Sequence, residues 1–292
     1  MIYSKKDFLR VIGYEEQQLN DILNNIDSFY YEFSEIKYAP DGNPKLKDGV
    51  VQKRYYNPSC KSLKDIQNKI QSKILSKVQL LPNIKGGVKG NSGVTNAKEH
   101  KGNKYRFQTD LTNFFPSVTK QMVFKSLRAK GFSKQVSDLI ANLCMLKTTD
   151  SWNGLSLPQG APTSPMLANI VFERIDYKIL GLIKDLNITY TRWIDDLTFS
   201  SNTDFKKLIP EILSLIGKNG LKISRKKTTY KINKSVITGV LVGMSSMKVT
   251  EKFRLKDNGN LTDAQKQGRK AYKDYIYRID KEKPAPNNVY NS

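Results

Sequence analysis

Cysteine and histidine are scarce in this chain of 292 residues. Only Cys60 and Cys144 are present, with no CxxC and no Cys/His spacing, so neither a zinc site nor a disulfide framework is supported. Both thiols fit ordinary buried positions in a reducing compartment. No apolar run approaches the roughly 18 residues that would cross a bilayer. No short apolar segment with a small-residue cleavage site opens the sequence, so a cytoplasmic protein that does not engage a membrane is expected. Acidic residues are in deficit as well. Asp and Glu number 27 against 49 Lys and Arg, a formal net charge of +22. The excess cations are spread along the whole chain, which raises the surface potential everywhere and favours a polyanionic partner. Nucleic acid fits that requirement best. A hydrophobic content of 38% suffices for one large or two modest cores.

The apolar residues set the elements. Phe8, Leu9, Ile12, Leu19, Ile22, Leu23 and Ile26 recur at helical spacing between Lys5 and Phe33. A loop with Pro40, Gly42, Pro44 and Gly49 follows, then a strand over 50–57. Leu63, Ile66, Ile70, Ile74 and Val78 form one face of an amphipathic helix whose other face carries lysines. Residues 85–104 hold five glycines and five lysines with little apolar content, the composition of a solvated loop that is long for a compact domain. YRFQTDLTNFF alternates like a strand, with Tyr105 and Phe107 on one side. Helices are expected over 119–130 and 133–146, and a third after a Pro/Gly loop, with Ser164 as N-cap and Pro165 at the first helical position. TYTRWI and LTFSS read as a hairpin. A helix ended by Gly220, strands in KTTYKI and SVITGVLVG, and a charged helix over 263–279 complete the reading. Helices and strands interleave without a βαβ period, so the fold class is α+β.

Asp110 ends one expected strand, and Asp195 and Asp196 occupy the hairpin tip. An Asp-Asp pair alone is ordinarily a turn or a cap. All three aspartates, however, sit beside apolar residues, where an unpaired carboxylate is costly. If they converge they repel one another unless a cation neutralises them, and magnesium, hard and oxygen-seeking, is the natural choice. Two such ions support phosphoryl transfer. Spacing alone does not establish convergence.

TDLTNFFPS (109–117), LPQGAPTSP (157–165) and RWIDDLTFS (192–200) resemble, in order and spacing, three successive polymerase motifs of reverse transcriptases. The chain is similar to the bacterial retron type in particular. NAKEH (96–100) matches that group's Asn-Ala-x-x-His element, and VITGVLVG (236–243) resembles its Val-Thr-Gly element with isoleucine in first place. The likeness runs from about Arg54 to Gly243. It implies a right hand: N-terminal region and fingers over 1–104, palm with part of the fingers over 105–243, and a short or truncated thumb over 244–292. Asp110, Asp195 and Asp196 would be the catalytic ligands of two Mg2+ ions, with Mn2+ as a substitute. Leu111, Phe115, Gln159, Gly160 and Lys227 would contact the nucleotide. Of these, Phe115 would crowd the sugar 2′ position and Lys227 would stand near the leaving pyrophosphate. Phe114 is expected to face the core, because neighbours in extended chain point to opposite sides. Lys85, Lys89, Asn96, His100 and Trp193 would contact nucleic acid, with His100 equally open to a role as a hydrogen-bonding group inside a folded loop.

The resemblance further implies copying of part of a cognate structured non-coding RNA into DNA, primed from a ribose 2′-hydroxyl, with deoxynucleoside triphosphates as substrates. It also implies anti-phage defence with an associated effector protein. Two features depart from the family pattern. The hairpin usually reads Tyr-x-Asp-Asp and here carries Trp193, and the chain closes on a Pro/Asn-rich stretch unlike a finished element. Trp193 keeps open another bacterial defence-associated reverse transcriptase with different priming or template use. The third reading, a non-catalytic RNA-binding scaffold, is opposed by the intact Asp110, Asp195, Asp196 and Gln159.

Overall fold

The computed structural model describes residues 4–39, 42–149, 154–255 and 261–282. The Pro/Asn-rich end, 283–292, lies outside them. In chain order the elements begin with α1 (Lys5–Ile12), α2 (Glu16–Asn24), β1 (Phe33–Ile36), β2 (Leu46–Lys47), β3 (Val50–Val51), β4 (Lys53–Tyr56) and α3 (Lys61–Lys69). Next come α4 (Gly93–Lys98), β5 (Tyr105–Asp110), α5 (Phe114–Ser117), α6 (Lys120–Ala129), α7 (Lys134–Cys144) and α8 (Ser164–Ile183). The remainder comprises β6 (Thr189–Trp193), β7 (Asp196–Ser201), α9 (Ile209–Lys218), β8 (Thr229–Ile232), β9 (Ser235–Ile237), β10 (Val240–Val242), β11 (Met247–Val249), α10 (Glu251–Leu255) and α11 (Asp263–Lys281). The α+β class expected from the sequence is the one observed.

The chain divides into two compact units, 1–80 with 113–173, and 81–112 with 174–292. Neither of the boundaries expected from the sequence, at 104/105 and 243/244, is where these units part. The chain leaves and re-enters each unit, which a linear reading of composition has no means of detecting.

In the first unit α1 packs on α3 and α7, burying Phe8, Ile12, Leu63, Ile66, Val136 and Ile140. Helical periodicity near the N terminus is split in two. Gly13, at φ +67, closes α1 in the left-handed region that glycine tolerates best. The amphipathic helix is not uniform either, for beyond Lys69 it widens through Ile70–Ile74 and tightens over Leu75–Lys77. Ser72 and Ser76 return their hydroxyls to the carbonyls of Asn68 and Ser72 there, a side-chain competition that bends helices. At α8, Thr163 rather than Ser164 takes the capping place, since its carbonyl accepts from the Leu167 amide. The Ser164 hydroxyl instead donates to Pro158 at 2.7 Å and ties down the preceding loop.

The second unit carries a four-stranded antiparallel sheet in the order β6-β7-β5-β8. Its register is set by an aromatic row: Tyr190, Phe199, Phe107 and Tyr230 lie directly opposite one another across the four strands. Tyr190 and Phe199 stack at 4.5 Å, and Phe107 meets Phe199 at 5.7 Å. Cross-strand aromatic pairs of this kind fix register, and a slip of one residue would turn every side chain to the other face. Beside it stands a three-stranded sheet, β9-β10-β11, on which α11 lays Ile276 and Ile279. The Gly/Lys-rich stretch is ordered against that cluster. Ser92 and Thr95 form a reciprocal capping box for α4, whose Val94 and Ala97 are buried.

Candidate active site

The aromatic row determines where the carboxylates go. Asp110 lies three residues beyond Phe107, and Asp196 three before Phe199, so both side chains emerge on the face opposite the rings. The register places Asp110 directly across from Asp196. Asp195 occupies the two-residue turn between β6 and β7, and its carbonyl accepts from the Leu111 amide at 3.0 Å. Ligand oxygens of Asp110, Asp195 and Asp196 all lie within 4.8 Å of one another. The convergence that spacing left open is therefore present.

Three carboxylates this close resist full ionisation. The Asp196 carboxyl is pushed up to about 7, first by burial of its surroundings, then by the charges of Asp195 and Asp110 and a hydrogen bond with Asp110. Lys227 opposes this, with its ammonium 2.7 Å from Asp110 Oδ2. One lysine does not balance three acids. An all-oxygen donor set with surplus negative charge suits a hard divalent cation such as magnesium.

The turn itself is held from several sides. Ile194, its first residue, has φ +58, the left-handed region that β-branched residues rarely enter. Its carbonyl accepts from Arg192 Nη1 at 2.9 Å. The same guanidinium meets Asp176 of α8 through Nε, 3.1 Å from both carboxylate oxygens, and through Nη2 at 2.8 Å. Tyr190 adds a hydroxyl donated to Asp176 at 2.7 Å. Along β6, the Lys85 and Gly86 amides donate to the Arg192 carbonyl, and the Arg192 amide donates to Asn83. A Cβ at Gly86 would lie 2.6 Å from the Ile194 nitrogen and 2.8 Å from the Trp193 carbonyl carbon, so only glycine fits.

The remaining expected residues fall into different places. Trp193 is half-buried at the end of β6. Lys85 is ion-paired with Glu99 at 2.8 Å, whereas Lys89 is exposed. His100 does not reach the surface. It is completely buried, with Nδ1 2.7 Å from Ser200 Oγ on β7 and Nε2 2.7 Å from Thr191 Oγ1 on β6. Burial, reinforced by the charges of Arg106 and Lys85, lowers its pKa to about 3, so it is neutral. The expected nucleic-acid contact at His100 is thus corrected, and the imidazole staples two strands together. Asn96 is corrected in the same way: it is buried, with Nδ2 3.4 Å from Thr238 Oγ1. Leu111 is buried, and its amide donates to the Asp195 carbonyl.

Phe115, Gln159 and Gly160 belong to the first unit. Phe115 is half-buried and Phe114 fully so, the latter meeting Phe172 edge-on at 5.8 Å. The different exposure of the two rings matches expectation, but the reason does not, because both sit in the single-turn helix α5 instead of extended chain. Gln159 accepts from the Asn57 amide through its carbonyl at 2.7 Å, and Gly160, at φ +100, is exposed.

Sequence reasoning missed Gly86, Asp176 and Arg192. A signal for the pair was available. Asp176 lies among Phe172, Ile175 and Ile179 on an apolar helix, where a carboxylate needs a cation. Arg192 alternates with Tyr190 on the inward face of its strand.

A family model described as "Reverse transcriptase (RNA-dependent DNA polymerase)" matches residues 46–262. The chain is 33% identical over 205 residues to the Retron Ec86 reverse transcriptase of Escherichia coli, covering 68% of this chain and 61% of that protein. It is 28% identical over 257 residues to the Retron Se72 reverse transcriptase of Salmonella heidelberg, covering 84% and 63% respectively. With the Retron Ec73 reverse transcriptase of Escherichia coli it shares 31% identity over 252 residues, covering 79% and 76%. The chain thus spans about three-fifths of the first two relatives. Taken with the aspartates gathered at the hairpin, the matches leave one assignment: the chain belongs to the reverse transcriptase family, and to its retron type.

Proposed function

We propose that this protein is an RNA-directed DNA polymerase that copies part of a structured non-coding RNA into DNA. The observation that carries the proposal is the convergence of Asp110, Asp195 and Asp196 within 4.8 Å in a chain of this family. These residues would hold two magnesium ions. Bound there, the ions supply activation of the attacking hydroxyl and neutralisation of the leaving pyrophosphate. Every other part falls to the chain. Asp110 and Asp196, paired across β5 and β7, and Asp195 in the turn provide a fixed anionic cradle. Lys227, more than half exposed and paired with Asp110, would pass a proton to the leaving group. Phe115 excludes the ribose 2′-hydroxyl, and Gln159 and Gly160 line the nucleotide pocket. In this reading the sheet bearing the aspartates is the palm, and the helices of the first unit belong to the fingers.

The net charge of +22 supports a nucleic-acid partner, with Lys89 and Trp193 as contacts and Lys85 released from Glu99 by phosphate. Among the described residues no helix is long and apolar enough to cross a membrane. A role in phage defence beside an effector protein completes the proposal and rests on kinship with the retron group. Sequencing of nucleic acid that copurifies under gentle conditions tests it. One structured RNA joined to a short DNA through a branched linkage supports the retron reading. Long repetitive DNA would favour another defence-associated reverse transcriptase with different priming.

A further inference from the structure

The carboxylates sit on a turn whose own geometry is unfavourable. A two-residue hairpin loop with positive φ at its first position is the place where glycine is preferred. Here the residue is Ile194, at φ +58. A β-branched side chain left to itself abandons that region, and the peptide carrying Asp195 would turn with it. Something must hold it.

We propose that Asp176 and Arg192 are positioning residues that hold Ile194 in its left-handed conformation and thereby fix Asp195 and Asp196 for reaction. This rests on the polymerase reading above. Both side chains are completely buried, with 0% exposure each. The guanidinium divides its donors between two tasks. Nε and Nη2 are locked onto the Asp176 carboxylate, while Nη1 reaches 2.9 Å to the Ile194 carbonyl. A planar fork can do both at once, whereas an ammonium is a single point of charge. Asp176, projecting from α8 and gripped also by Tyr190, is the fixed end of the strut. Leu111, the residue after β5, secures the next carbonyl, that of Asp195. Both peptide oxygens of the turn are therefore tied to rigid elements, and the aspartates cannot drift independently of Asp110.

The test is a rescue. Arg192→Lys keeps the buried positive charge opposite Asp176 but gives up the fork. It should lower kcat of primer extension about 100-fold, the loss typical of a reacting group misplaced by about 1 Å, while the nucleotide KM changes far less. Adding Ile194→Gly removes the reason the turn needs holding, since glycine adopts positive φ freely. The double variant should recover at least tenfold of the lost kcat. Fluorescence gives a second readout independent of activity. In a Trp152→Phe background, the emission of Trp193, adjacent to the turn, should shift in Arg192→Lys and return in the double variant. If Arg192→Lys fails to melt cooperatively, Asp176→Asn, which preserves size, is measured in its place with the same two outcomes. Active wild type with neither kcat nor emission restored by Ile194→Gly would overturn the strut. An inactive wild type whose Trp193 emission shifts and returns would uphold the strut and refute the polymerase reading instead.

Discussion

Gly86→Ala adds one carbon where the acidic hairpin leaves none. The new Cβ would stand 2.6 Å from the Ile194 nitrogen, 2.8 Å from the Trp193 carbonyl carbon and 2.9 Å from the Trp193 Cα. All three are backbone atoms, so no side chain can swing aside. Ordinary contact begins at 3.4 Å, and the turn or residues 83–86 must give way by most of an ångström. Overpacking of this kind costs about 1–3 kcal/mol, and displacement of reacting groups by about 1 Å costs on the order of 100-fold in rate. The expected result is a kcat lower by about 10- to 100-fold and a melting temperature lower by a few degrees. Gly181→Ala is the control. It lies in α8 with nothing within 4 Å of the added carbon, so it should be neutral or slightly stabilising. Primer extension and thermal unfolding of both variants decide the matter. A Gly86→Ala enzyme with wild-type rate and stability would refute the claim that this segment braces the hairpin.

Four further outcomes are expected. Phe114→Ala should lower stability by about 3–5 kcal/mol in denaturant melts, because its ring is buried against Phe172. Phe115→Ala should cost much less stability and admit ribonucleotides; an unchanged sugar preference would move the gate elsewhere. His100 makes stability pH-dependent. It is neutral in the fold, with its pKa lowered to about 3 against 6.5 when unperturbed, so the contribution is complete above pH 6.5 and lost as pH falls toward 3. The slope should approach 1.4 kcal/mol per pH unit, and His100→Gln should flatten it in melts compared at pH 7 and 5. Binding of RNA should weaken steeply with salt. Charge reversal of exposed Lys89 should reduce the slope of log affinity against log salt more directly than reversal of Lys85 or Lys98, which are engaged with Glu99 and Glu282.

The hairpin, its acidic tip and the strand carrying Asp110 were legible because they obey local rules: alternation, turn length and chemically costly side chains in apolar surroundings. The helices expected over 119–130 and 133–146 are present as well, and the structure shows the Thr119 and Ser133 hydroxyls accepting amides at their N termini. What escaped depends on residues distant in sequence. Gly86 looked like one more loop glycine, and only the approach of Trp193 and Ile194, more than 100 positions away, gives it a reason. His100 and Asn96 were read as contacts because the NAKEH element sits in a lysine-rich stretch of solvated composition. The capping box at Ser92 instead folds that stretch back, and the imidazole finds hydroxyls from two strands. The interleaved boundaries of the two units were hidden for the same reason, since each unit joins segments far apart in sequence.

Templated synthesis by the purified protein bears most directly on the polymerase assignment. Wild type and Asp195→Asn are supplied with a primed RNA template, deoxynucleoside triphosphates and magnesium, and DNA product is measured. Asparagine keeps the size of the side chain while removing one of the three converging charges. The wild type should extend the primer in a magnesium-dependent manner and Asp195→Asn should not. DNA synthesis by Asp195→Asn at the wild-type rate, or none by a folded wild type, would contradict the assignment.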